Sequence, residues 1–150
     1  MSATLTFDDS HWPLVILRIS GVMTNGQYAQ FLAGSASFLA RGEKYVSITD
    51  VSQAGIPPLA QCRQLAEWMR QHEARMREYV LCNAVIAPSA SLRLSMSFVF
   101  HLMPPPMPHI AVSDMASAVD FALARLVDAK RESDATRVRR HLATSALHAD

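Results

Sequence analysis

The chain has 150 residues, half of them apolar and 18% charged, with a formal net charge of +1. That length suits a single domain whose hydrophobic core needs no disulfide or metal staple, and the near-neutral charge gives no electrostatic argument for nucleic acid or an anionic membrane. No apolar run reaches membrane-spanning length, the amino terminus lacks the basic-then-apolar order of a secretory leader, and Cys62 and Cys82 have no Cys or His neighbour at ligand spacing, so a cytoplasmic protein with two reduced, buried thiols is expected.

Taken in chain order, Thr4–Phe7 and Trp12–Ser20 are short runs rich in apolar and branched residues, separated by the polar cluster Asp8, Asp9, Ser10 and His11. They predict an opening β-hairpin that turns through that cluster. Thr24 followed by Gln27 is a capping box, and Tyr28, Phe31, Leu32 and Ser35 then recur at helical spacing, so a first helix is expected to stop near Arg41 and Gly42. Tyr45–Asp50 predicts a strand by its branched and aromatic content. Pro57 and Pro58 suit the first turn of a second helix, with Leu59, Cys62, Leu65, Ala66, Met69 and Met76 on its inner side and Arg63, Glu67, Arg70 and Arg77 outside. Tyr79–Ala87 is nearly continuous apolar sequence, as a central parallel strand covered on both faces requires.

The stretch from Leu92 to Leu102 fits two patterns. Leu92, Leu94, Met96, Phe98, Phe100 and Leu102 alternate with other residues as in a half-buried strand, yet Leu92, Met96, Val99 and Met103 also fall on one helical stripe. Strand His109–Val112 decides the matter. If it lies parallel beside Tyr79–Ala87, the segment between them is a crossover, which is normally helical, with Ser89 as its cap and Pro104, Pro105 and Pro106 as its stop. The competing arrangement is a hairpin through residues 88–91 with Leu92–Leu102 antiparallel. Ser113 or Asp114 then caps a last helix carrying Met115, Ala118, Val119, Ala122 and Leu126 inward. Residues 1–128 are read as the domain, and 129–150 as a polar, partly basic tail or loose helix.

The order of two strands followed by alternating helices and strands predicts an α/β fold with a mixed, mostly parallel sheet of about five strands and four helices. With the segments GVMT (Gly21–Thr24), RGEKYVSITDVS (Arg41–Ser52), AEWMRQHE (Ala66–Glu73) and PPPMPHIAV followed by SAVDFALARL, this order resembles the STAS domain of anti-sigma-factor antagonists, in its divergent STAS/SEC14-like branch of small bacterial proteins. The resemblance spans roughly Leu5 to Leu126. It implies a non-enzymatic module that docks on a protein partner or a second copy of itself, in bacterial signalling or partner switching. In the antagonist group a serine at the start of the second helix is phosphorylated to break docking, and Ser52 is the only serine in the equivalent stretch. The family pattern places an aspartate directly before adjacent serines, whereas here Val51 precedes a single Ser52 and two prolines follow.

Candidate contact residues are Asp50 and Ser52 in that loop, Trp68 on the flank of its helix and Phe121 off the stripe of the last helix, since large aromatics anchor interfaces. The alternative to docking is a small-molecule or lipid carrier, with Met96, Phe100, Met103 and Met107 lining an adaptable apolar pocket. That reading requires an apolar cavity of several hundred Å³. His72, His101 and His109 lack metal-ligand spacing, no cofactor motif is present, and neither Glu67 nor Asp50 has a visible partner for general-base work.

Overall fold

Branched residues at successive positions in Leu14–Leu17 suit a strand covered on both faces, and that strand is central to the architecture. The computed structural model describes residues 3–147. Strands β1 (Thr4–His11), β2 (Leu14–Gly21), β3 (Tyr45–Ala54), β4 (Val80–Ile86) and β5 (His109–Val112) lie side by side in sequence order. The β1–β2 pair is antiparallel and every later pair is parallel. The helices are α1 (Asn25–Leu39), α2 (Leu59–Gln71), α3 (Glu73–Tyr79), α4 (Ala90–Leu102), α5 (Met115–Asp128) and α6 (Glu132–Leu147).

Handedness explains how the helices are shared between the faces. A sheet that grows in one direction through right-handed parallel crossovers puts every crossover helix on the same side. Accordingly α1, α2, α3 and α4 cover one face, where Phe38, Cys62, Met76 and Val99 pack with Val15, Tyr45 and Val80. Helices α5 and α6 cover the other, where Ala118, Ala122, Leu126 and Val138 pack on Leu14, Ile16, Val46, Ile48, Cys82 and Ala84.

The local signals locate most elements. Thr24 caps α1 reciprocally with Gln27, Ser89 Oγ accepts from the Leu92 amide at 3.4 Å, and Asp114 accepts from the Ser117 amide at 2.8 Å. Leu92–Leu102 lies in a helix, α4, and β4 pairs in parallel with β5, so the crossover argument selects correctly between the two periodicities. Leu94 is the residue that alternation misreads: it is 73% exposed, while Leu92 and Val99 are buried.

Four details differ from the sequence reading. The hairpin turns at Trp12 and Pro13, joined by a cis peptide bond, because Asp8 takes the Ser10 amide and hydroxyl at 3.0 and 2.6 Å and keeps the polar cluster inside a bulged β1. The second helix is two helices that meet at His72, whose backbone leaves the helical region (φ −108°, ψ 14°) while its amide still donates to the Trp68 carbonyl at 3.1 Å and its ring stacks on Trp68. Leu59 is 52% exposed, and Gln61 takes the inward place by donating Nε2 to the Met23 carbonyl at 2.8 Å. Residues 132–147 form α6, which packs on α5 and β1 and sets Ala135 and Val138 into the core.

Candidate functional site

Strand alternation assigns Val15, Leu17 and Ile19 of β2, Tyr45, Ser47, Thr49 and Val51 of β3, and Asn83 and Val85 of β4 to the face under α1, α2 and α4. The helices do not fill this space. Between them and the sheet lies a cavity of about 260 Å³, open on one side and walled chiefly by apolar groups, including Tyr28 and Phe31 from α1, Cys62 and Trp68 from α2, and Met96 and Phe100 from α4. No Asp, Glu, Lys or Arg side chain contributes to its wall.

Three of the polar groups in the wall are bonded to one another. Asn83 Oδ1 accepts from Ser47 Oγ at 2.9 Å and from Thr49 Oγ1 at 3.1 Å, forming a trio on the sheet floor. Ser95 Oγ donates back to the Ser91 carbonyl at 3.3 Å. Burial raises the Tyr28 phenol well above its usual range, pushes Tyr45 up to about 12 and raises the Cys62 thiol, so all three are uncharged at neutral pH.

Of the pocket residues expected from the sequence, Met96, Phe100 and Met107 line the cavity, and Met103 is buried beside it in the helical layer. Trp68 is half-buried in the cavity wall, stacked on His72 with ring centroids 4.3 Å apart. Phe121 lies on the opposite face of the sheet, half-buried against the α5–α6 core with the Arg125 guanidinium 5.1 Å from its ring centre. The fold therefore does not bring Trp68 and Phe121 together. Asp50 and Ser52 sit where β3 bulges against β2: Asp50 Oδ1 accepts the Ser52 amide at 3.0 Å and its hydroxyl at 2.6 Å.

Sequence reasoning missed the Ser47–Thr49–Asn83 trio. The signal was a polar residue in the middle of a strand otherwise apolar on both faces, since a covered amide must find partners. Among the described residues no group of His, Cys, Asp and Glu is arranged to hold a metal, and no helix is long and apolar enough to cross a membrane.

Five strands in this order, three helical crossovers on one face and helices α5 and α6 on the other define the STAS-type, SpoIIAA-like fold. Two solved structures share it. A DUF3478-family protein with a SpoIIAA-like fold from Shewanella loihica PV-4 superposes with a TM-score of 0.60 at 14% identity, covering 81% of this chain and 94% of that one. An anti-sigma factor antagonist from Mycobacterium paratuberculosis superposes with a TM-score of 0.53 at 12% identity, with the same coverages of 81% and 94%. No protein-family model matches the chain, and no curated protein matches it.

Proposed function

We propose that this protein is a non-enzymatic binding module that holds a small, mostly apolar molecule between the sheet and helices α1, α2 and α4. The observation that carries this reading is the cavity of about 260 Å³ with a mostly apolar wall and a hydrogen-bonded polar trio at its floor, the composition expected of a ligand site. An engineered cavity of about 150 Å³ accepts benzene, so this one suits a guest of on the order of ten non-hydrogen atoms. A wall without carboxylates, lysines or arginines favours binding over acid–base chemistry.

Native mass spectrometry on protein taken from its own cells tests the reading. The expected result is an adduct that disappears when Val85→Phe fills the floor; an unliganded mass together with no uptake of added small apolar molecules refutes it.

A second reading, docking on a protein partner in bacterial signalling, is favoured by the fold shared with an anti-sigma factor antagonist and by the exposure of Val22, Ile56 and Leu59, at 48%, 51% and 52%. Val22 packs close against Gly55, so these side chains gather at the β2–α1 and β3–α2 turns, next to the bulge that holds Asp50 and Ser52. Ser52→Asp and Leu59→Asp, compared with the parent in pull-downs from host extract, test this surface: unchanged recovery of partners by both refutes it.

A further inference from the structure

The polar trio has a direction, and the direction says what kind of guest the cavity takes. An amide oxygen accepts two hydrogen bonds, and both places on Asn83 Oδ1 are filled by hydroxyl donors, Ser47 Oγ and Thr49 Oγ1. In this orientation of the amide its Nδ2 hydrogens remain. Nδ2 donates to no protein group among the described residues, and it stays open to the cavity. Of the other polar groups in the wall, Gln61 Nε2 donates to the Met23 carbonyl and Ser95 Oγ to Ser91, while Ser35 and the Tyr28 and Tyr45 hydroxyls take no part in the trio's hydrogen bonds. The floor therefore offers a hydrogen-bond donor to a mostly apolar chamber.

We propose, resting on the ligand-binding reading above, that the cavity selects uncharged, mostly apolar molecules bearing a carbonyl oxygen, which accepts from Asn83 Nδ2. A hydrocarbon of the same size leaves the amide donor desolvated and unpaired, which costs binding free energy. A carboxylate meets no lysine or arginine in the wall, and its desolvation costs binding free energy. The carbonyl compound avoids both costs.

Three probes of similar size separate these cases: acetophenone, ethylbenzene and phenylacetate, titrated into the full chain and followed by amide NMR. Acetophenone is expected to bind roughly 2- to 13-fold more tightly than ethylbenzene, the range of one net hydrogen bond, with phenylacetate weakest. Asn83→Leu should abolish the preference for acetophenone while keeping ethylbenzene binding. Thr49→Val keeps the side-chain volume and removes one donor from Oδ1, so it should reduce the preference in a folded protein even where Asn83→Leu does not fold. Equal affinity for acetophenone and ethylbenzene, tightest binding of phenylacetate, or a preference that survives both substitutions overturns this inference and leaves the ligand-binding reading standing. Failure of all three probes to bind overturns both.

Discussion

The contact between His11 and His141 sets a pH dependence that can be worked out in advance. His11 ends β1 and is 7% exposed; its Nδ1 lies 2.7 Å from Nδ1 of His141 on α6, with the rings 4.5 Å apart in an edge-on arrangement. One nitrogen must donate and the other accept, so the bond requires at least one neutral ring. Burial pushes the His11 pKa below its ordinary 6.5, opposed by the Asp8 carboxylate 4.0 Å away and reinforced by His141 and Arg18. Arg137, paired with Asp134, also reaches this corner by donating to the Trp12 carbonyl at 3.4 Å. Because the folded state holds the proton less tightly than the unfolded chain, the contribution is fully present above pH 6.5 and is lost as the pH falls through the folded value. One proton gives a slope of at most about 1.4 kcal/mol per pH unit, and the bond itself is worth about 0.5–1.5 kcal/mol. Urea unfolding of the parent and of His141→Ala between about pH 5 and 7.5 reads this out. The parent should be more stable by about 1 kcal/mol at the upper end, with the gap closing at the lower. A gap independent of pH would refute the reasoning.

Gly34→Ala in the middle of α1 gains about 1 kcal/mol of helix propensity, but its new Cβ would lie 2.5 Å from Phe7 Cε2, an overpacking worth about 1–3 kcal/mol, so chemical denaturation should show no gain and up to about 2 kcal/mol of loss. Val138→Ala on α6 removes two buried carbons, roughly 1.5–3 kcal/mol with the cavity left behind, whereas Val127→Ala at a 45% exposed position should stay within about 0.5 kcal/mol; equal effects would mean α6 adds nothing to the core. Burial pushes the Cys82 thiol up to about 12 and raises that of Cys62, so a thiol-reactive disulfide reagent should react slowly with the native protein and fast in denaturant, and acetophenone should slow labelling of Cys62 alone.

Much of the architecture was legible because several local signals agreed. The capping box at Thr24 and Gln27, the branched run at β4 and the three prolines after Met103 each mark an element end, and the parallel pairing of β4 with β5 then settles the ambiguous segment between them. The break at His72 was not legible, since it lies in the backbone of one residue within an otherwise continuous helical pattern. The pocket was legible in part: Met96, Phe100 and Met107 were identified as a set by their chemistry and do share a wall. Its floor was not, because Ser47 and Thr49 reach Asn83 across a gap of more than thirty residues, through a strand register that periodicity alone does not fix. The separation of Trp68 from Phe121 has the same origin: crossover handedness, and not the helical period, decides which side of the sheet a helix occupies.

Ala118 and Ala122 of α5 are fully buried, and side chains this small let that helix lie close on the strands, while the four helices opposite stand off around empty space. Close packing carries many dispersion contacts, and a void forfeits them. On the ligand-binding proposal, entry of a guest would therefore fall to helices α1, α2 and α4, while the closely packed α5–α6 layer would hold the strands in register.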